Sequence, residues 1–390
     1  MRPDYDGGSL VNLMASVAGA VGARPTPGDR GEPVAELRCL PAGALGDGRR
    51  IAMVLVDGLG DAQLAAANPA GALRAHRVGG MTSVFPSTTA AAITTVMTGV
   101  APRRHGLTGW HVRLAALDLI ATPLPYRVRG GGDLRDHGVE PATVFGAAPL
   151  TATLGVECHV VQPRYLLGST YSAFHGAGAV SHGADSIDAC LDRVATLLCA
   201  PGERYVYAYW PQLDALSHRY GAGSREARRH LRAIDDAFAR LTERLRGSGA
   251  TAVLTADHGF VDTTVHSRLL LDDLPELAAT LRAPLCGEPR VAFCYLRPGA
   301  EADFLALVAD RLAGRCTAIH RDEMLEPGWL GPGPAHPDLA GRVGDWSLLM
   351  RDDFALMDTP PGDGPAPVLI GVHGGATPAE MEVPVVVARG

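Results

Sequence analysis

Aspartate and histidine recur together in four separate segments of this chain: Val56-Asp57-Gly58, the DxxxH pair Asp214 and His218, Asp257-His258-Gly259, and His373-Gly374-Gly375. Carboxylate oxygens and imidazole nitrogens without thiolates suit a catalytic divalent ion, zinc or manganese, that keeps an open coordination position. Six such ligands, Asp57, Asp214, His218, Asp257, His258 and His373, together with a bridging nucleophile, would serve two ions. The candidate nucleophile lies in Phe85-Pro86-Ser87-Thr88-Thr89-Ala90, ahead of a helix-compatible run to Thr98-Gly99. A hydroxyl at a helix N-terminus has backbone N–H groups and the positive end of the dipole beside it, both suited to a phosphoryl group. Metal coordination would lower its pKa. Either Thr88 or Thr89 is placed to react, and Ser87 is available as an N-cap.

These residues need rigid elements behind them. The apolar run 51–56 stops at Asp57-Gly58, as expected of a parallel strand buried on both faces. Runs 205–210 and 251–255 lead in the same way to Asp214 and to Asp257-His258. Between them, residues 224–246 place Ala227, Leu231, Ile234, Phe238, Leu241 and Leu245 at alternating spacings of four and three, predicting an amphipathic helix with Ser224 as N-cap. A helix continuing past Asp214 would set His218 one turn later on the same face. Alternating strands and helices imply an α/β fold, a doubly wound, mostly parallel sheet flanked by helices, with ligands bound beyond the strands' carboxyl ends. The expected organisation is one such domain over residues 1–390, with small lid insertions near 110–145 and 264–345. The Pro- and Gly-rich stretches 122–141 and 327–337 are the expected lids.

Composition narrows the function. Nearly half of the 390 residues are apolar and a fifth are charged, the balance of a globular protein with a large core. All 35 basic residues are arginine, and the formal charge of -7 offers no broad basic face for nucleic acid. The seven cysteines form no CxxC pair, which argues against thiolate zinc sites and a disulfide framework and points to a reducing, cytoplasmic setting. Residues 10–21 are apolar but too short and too polar in their flanks to span a bilayer. The expected partner is a small phosphorylated substrate, with no nucleic acid and no membrane, in a monomer or homodimer.

The ordered set of a strand ending in DG, FPSTT before a helix ending TGVAPRRHG, then DxxxH, ADHG and a late HGG resembles the alkaline phosphatase superfamily. The nucleotide pyrophosphatase/phosphodiesterase branch and its bacterial relatives are the nearest likeness, from about residue 50 onward. The resemblance implies a two-metal phosphoester hydrolase with zinc ions as its metals. It places one ion on Asp214, His218 and His373, and the other on Asp57, Asp257 and His258. It selects Thr89, bound at the second ion, as the nucleophile that becomes a phosphothreonine. Two positions depart from the branch: Ala90 replaces an aromatic that stacks a nucleobase, and Trp110 replaces an asparagine that helps bind phosphoryl oxygens. Thr108, a backbone N–H or a residue elsewhere is the expected substitute for the asparagine.

Each residue also has a bland explanation. Asp57-Gly58 alone is more often a turn, and His373 before two glycines could be a loop histidine. Arg103, Arg104 and His105 read best as a solvated turn, His182 and His266 as structural or exposed, and Trp110 as evenly balanced between substrate platform and packing. A phosphonate hydrolase is the nearest alternative activity, and a non-catalytic metal-binding member the alternative of a different class. A sulfatase is disfavoured because its formylglycine derives from cysteine or serine. A phosphoglycerate mutase would resemble a longer chain with a serine nucleophile.

Overall fold

The computed structural model describes residues 1–23, 34–326, 328–360, 362–364 and 368–390. Seven strands form the central sheet: β1 (Arg50–Val56), β2 (Arg77–Thr82), β3 (Glu157–Pro163), β4 (Ala179–Ala184), β5 (Arg204–Trp210), β6 (Thr251–Thr255) and β7 (Glu382–Arg389). Their spatial order is β2-β7-β6-β1-β5-β3-β4. β1 pairs in parallel with β5 and β6, while β7 runs antiparallel to both of its neighbours. The three strands expected from their apolar runs are therefore adjacent. β1 and β5 are in register from Arg50 with Arg204 to Val56 with Trp210, so both chains leave the sheet at one edge.

Helices cover the sheet. α1 (Leu10–Ala20) turns Leu10, Leu13, Met14 and Val17 into the main core, so the apolar N-terminal stretch is a core helix. α2 (Thr89–Thr98) carries the threonine motif, and its every residue is buried. α3 (Ile187–Cys199) and α4 (Gln212–Tyr220) precede α5 (Arg225–Leu245). Ser224 caps α5, accepting a hydrogen bond from the Ala227 N–H at 3.1 Å, and all six apolar positions expected to face the core are buried. The spacing that predicted this helix describes its buried face because one stripe of a 3.6-residue helix meets the sheet. Among the described residues no helix is long and apolar enough to cross a membrane.

Two smaller sheets stand beyond the carboxyl edge. Val112–Leu114, Leu119–Thr122 and Arg127–Val128 make one. Cys286–Glu288, Val291–Cys294, Trp346–Met350 and Cys316–His320 make the other, in that spatial order. Of the two expected lids, residues 122–141 border the cleft through Thr122, Arg129 and Gly130. The stretch 327–337 does not form a lid. Pro327 lies outside the described residues, and Trp329 and Leu330 are tucked into a second core, with the Trp329 ring 4.7 Å from Phe85. A proline- and glycine-rich composition marked irregular backbone there correctly, but the burial of one tryptophan decides where that backbone goes.

Candidate active site

Asp57 follows β1 directly, and its N–H donates to the Trp210 carbonyl at 3.0 Å, prolonging the ladder one residue past the strand. Asp257 and His258 follow β6. Asp257 Oδ1 accepts from the Gly58 and His258 N–H groups at 3.0 and 3.1 Å, so two backbone donors fix one oxygen and leave Oδ2 free. Asp214 and His218 sit one turn apart on α4, with His218 Nε2 3.3 Å from Asp214 Oδ1. His373 follows the short strand Gly371–Val372. Thr89 opens α2, and its hydroxyl lies 3.1 Å from His258 Nε2. All seven residues proposed from sequence converge at one place.

Thr88, and not Ser87, occupies the N-cap position of α2. Ser87 instead straps neighbouring loops together: its hydroxyl donates to the Gly375 carbonyl at 2.8 Å, and its own carbonyl faces His373 Nδ1 at 3.2 Å. The Thr88 hydroxyl donates to Glu288. Of the two adjacent threonines, Thr89 is the one whose hydroxyl reaches the histidine cluster, 3.1 Å from His258 Nε2.

The donor set fits divalent cations. Asp57 Oδ1, Asp214 Oδ1 and Asp257 Oδ2 are buried without a hydrogen-bond partner, a costly condition for carboxylates unless a cation answers them. His218, His258 and His373 each direct Nδ1 at a backbone carbonyl, that of Gly371, Gly259 and Ser87 respectively. That contact fixes the tautomer with the proton on Nδ1 and leaves the Nε2 lone pair for a metal. Burial, then Asp257 and Asp214, push the Asp57 carboxyl well above its usual range. Burial, then Asp257 and Glu288, do the same to Asp214. Burial lowers His218 to about 4, and burial with the neighbouring His258 and His218 holds His373 well below its ordinary value. Carboxyls pushed up and imidazoles pushed down in one cluster both report burial, which penalises the charged form of each.

Ligand atoms of Asp57, Asp257 and His258 lie within 4.8 Å of one another, as do those of Asp214, His258 and His373. The second trio differs from the one the resemblance implies by holding His258 in place of His218. The His258 and His373 rings stack, parallel within 16° at 3.6 Å, which brings His258 into reach of the Asp214 group as well as the Asp57 group. Phe260 packs edge-on against all three histidine rings and closes the site from behind.

A cleft of about 530 Å³ opens over this cluster, walled by Thr89, Trp110, His111, Arg129, Glu288 and His373 among others. Trp110 is 41% exposed and stands on the cleft wall, so it is no packing residue. Two of the groups nearest the branch's asparagine position are engaged elsewhere. The Thr108 hydroxyl is fully buried and donates to the Arg342 carbonyl, and the Trp110 N–H donates to Glu288 Oε1 at 2.6 Å. Ala90 is buried beside Thr89 and offers nothing to a nucleobase. Arg103 is no solvated turn residue: it donates to the Leu325 and Gly333 carbonyls, while His105 is buried against Thr95. His182 pairs with His159 at the far edge strand β4, outside the cleft. A larger cavity of about 740 Å³ lies on the other side of Phe260, lined by Gln63 and three arginines, away from the ligand cluster.

Two residues of the site escaped the sequence. Tyr209, on β5, donates its hydroxyl to Asp57 Oδ2 and so completes that carboxylate's support. Glu288 is buried beside Thr88, with its carboxyl pushed up by burial to about 7. The Gly-Glu-Pro-Arg turn between two apolar runs was the available signal for Glu288, since an acid there needs a partner. Tyr209 had no signal beyond its alternation with Tyr205 and Tyr207.

A mostly parallel α/β sheet that gathers acids and histidines at its carboxyl edge, under a helix N-terminus bearing a hydroxyl, defines a phosphoryl-transfer class of site. The chain belongs to the type I phosphodiesterase / nucleotide pyrophosphatase family, which it matches over residues 52–376. That family lies in the alkaline phosphatase superfamily and is one of phosphoester hydrolases. Among solved structures it is similar to murine ectonucleotide pyrophosphatase/phosphodiesterase 5, with a TM-score of 0.63 and 14% identity over 86% of this chain and 87% of that one. An inactive variant of the same murine protein, in complex with AMP, superposes with a TM-score of 0.61 at 14% identity, over 86% of this chain and 87% of that one. Phosphonoacetate hydrolase from Sinorhizobium meliloti 1021, in complex with phosphonoacetate, gives a TM-score of 0.63 at 20% identity over 87% and 89% of the two chains. No curated protein matches the chain.

Proposed function

We propose that this protein hydrolyses phosphate esters through a phosphothreonine at Thr89, using two divalent ions, zinc by preference. The single observation behind this reading is the convergence of the Thr89 hydroxyl, at a helix N-terminus, on a buried Asp/His cluster with three unanswered carboxylate oxygens. Asp57, Asp257 and His258 hold one ion together with Thr89. Asp214, His218 and His373 would hold the other, while His258 Nε2, 3.4 Å from Asp57 Oδ1 and 3.5 Å from Asp257 Oδ2, serves the first. When bound, the ions supply positive charge for the attacking and leaving oxygens and lower the pKa of the threonine hydroxyl.

The chain's own residues do the rest. Thr89 Oγ attacks phosphorus, forming a P–O bond to the threonine as the bond to the leaving oxygen breaks, and the departing alcohol takes up a proton. The first amides of α2, which lack intrahelical acceptors, face the phosphoryl oxygens with the positive end of the helix dipole. Water then attacks the phosphothreonine, breaks its P–O bond and returns the proton to Thr89, releasing the phosphate product. Tyr209 and the Gly58 amide hold Asp57 and Asp257 in place throughout. Removal of Asp57's or Asp257's support would loosen the ligands rather than the reaction's arrow of charge.

The test is activity of the zinc- or manganese-loaded protein on p-nitrophenyl phosphate mono- and diesters. The Thr89→Ala variant is expected to lose turnover while retaining its metal. Full activity of that variant would end the mechanism.

A further inference from the structure

We infer that Glu288 sets the charge of the substrates this site accepts, admitting singly charged phosphodiesters and disfavouring doubly charged phosphate monoesters. The inference rests on the reading that the phosphoryl group sits over Thr89.

Several independent observations put the Glu288 carboxylate at that place. It lines the same cleft as Thr89, Asp214 and His373. Its methylenes lie on Gly374, next to His373, so closely that a Cβ at position 374 would stand 2.5 Å from Glu288 Cβ. Its Oε1 accepts hydrogen bonds from the Thr88 hydroxyl and the Trp110 N–H, which tie it to the residue before the nucleophile and to the cleft wall. Those two donors are its only hydrogen-bond partners among the described residues, and neither is a cation. The arginine of the cleft does not neutralise it. Arg129 is held by Asp358 and Asp363 at 2.6 Å each and by the Leu285 carbonyl at 2.7 Å.

The chemistry follows from the count of charges. A phosphodiester brings one negative charge to the ions, and a monoester brings two once its second proton, with a pKa near 6, is gone. Above about pH 7, the value to which burial raises the Glu288 carboxyl, the additional charge meets a carboxylate fixed in a water-poor cleft where screening is weak. The Trp110 amide, a donor that would have offset that charge, is already spent on the same carboxylate. A monoester is disfavoured on the order of tenfold by one such like-charge encounter.

The test compares metal-loaded wild type with Glu288→Gln and Glu288→Asp. Glutamine keeps an oxygen for Thr88 and Trp110 while removing the charge; aspartate keeps the charge. The ratio of kcat/KM for p-nitrophenyl phosphate to that for bis-p-nitrophenyl phosphate is expected to rise about tenfold in Glu288→Gln and to stay near wild type in Glu288→Asp. An unchanged ratio in Glu288→Gln, or an equal loss on both substrates, would overturn the inference and leave Glu288 a positioning residue. Calorimetric binding of inorganic phosphate and of dimethyl phosphate to metal-loaded Thr89→Ala, with and without Glu288→Gln, reads the same preference without turnover. If wild type hydrolyses neither ester yet phosphate binding alone strengthens in the double variant, the proposed reaction falls and the charge selection stands. If turnover is present and neither affinity changes, the charge selection falls alone.

Discussion

Loading the metal-free protein with zinc interrogates the electrostatics of the site most fully. In the metal-free fold, Asp57 and Asp214 have carboxyls pushed well above their usual range by burial and by neighbouring acids. His218, lowered to about 4, and His373, held well below its ordinary value, are already neutral near pH 7. A divalent ion therefore displaces protons from the raised Asp57 and Asp214 carboxyls and none from His218 or His373. Binding should release protons, and its free energy should gain about 1.4 kcal/mol per released proton for each pH unit. The stability of the metal-free fold has the opposite trend. A carboxyl whose folded pKa is raised contributes stability that is complete below its unfolded value, near 3.9, and is lost as pH climbs toward the folded value. The depressed histidines act below about pH 6.5, where the unfolded chain binds more protons, and add nothing above it. As pH rises from the carboxyls' unfolded value toward their raised folded values, the metal-free protein loses their contribution while the zinc-loaded protein does not, so the gap between them widens. Titration calorimetry in buffers of different ionisation enthalpy counts the protons, and melting with and without chelator follows the gap. Zinc binding without proton release, or a gap that narrows with rising pH, would refute this account of the cluster.

Two further outcomes follow from buried geometry. Gly374→Ala meets Glu288 at 2.5 Å and must hold a φ of +110°, so it should cost about 1–3 kcal/mol in urea unfolding and depress kcat together with the His373 loop. Arg290 and Glu380 form a fully buried pair, with Nε–Oε1 at 2.9 Å and Nη2–Oε2 at 3.0 Å. Arg290→Met leaves that carboxylate unpaired and should destabilise by about 3–5 kcal/mol, which Glu380→Gln in the same chain should partly restore, as read by the denaturation midpoint.

The parts of this site that were legible in the sequence are those a strand or helix delivers locally. Asp57, Asp214 and Asp257 each follow an apolar run, and the sheet's parallel register carries all three to one edge. His218 was legible because four residues make one helical turn. Thr89 needed the resemblance to be chosen over Thr88, since adjacent residues at a helix start differ only in which way the cap turns them. What was not legible depends on pairs distant in sequence. Glu288 meets Thr88 across 200 positions and Tyr209 meets Asp57 across 152, with no local pattern to announce either contact. The lid expected at 327–337 fails for the same reason: the composition describes a loop, and only the Trp329 contact with Phe85 says that Trp329 and Leu330 are buried away from the cleft.

The central claim is that Thr89, in a site holding two metals, becomes the phosphorylated residue. Rapid acid quench of the zinc-loaded protein during turnover of bis-p-nitrophenyl phosphate, followed by peptide mass spectrometry, tests it most directly. The account predicts a phosphoryl-ester adduct on Thr89 that forms and decays with turnover and is absent from Thr89→Ala. An adduct on Thr88 or Ser87, or sustained turnover by Thr89→Ala, would contradict it.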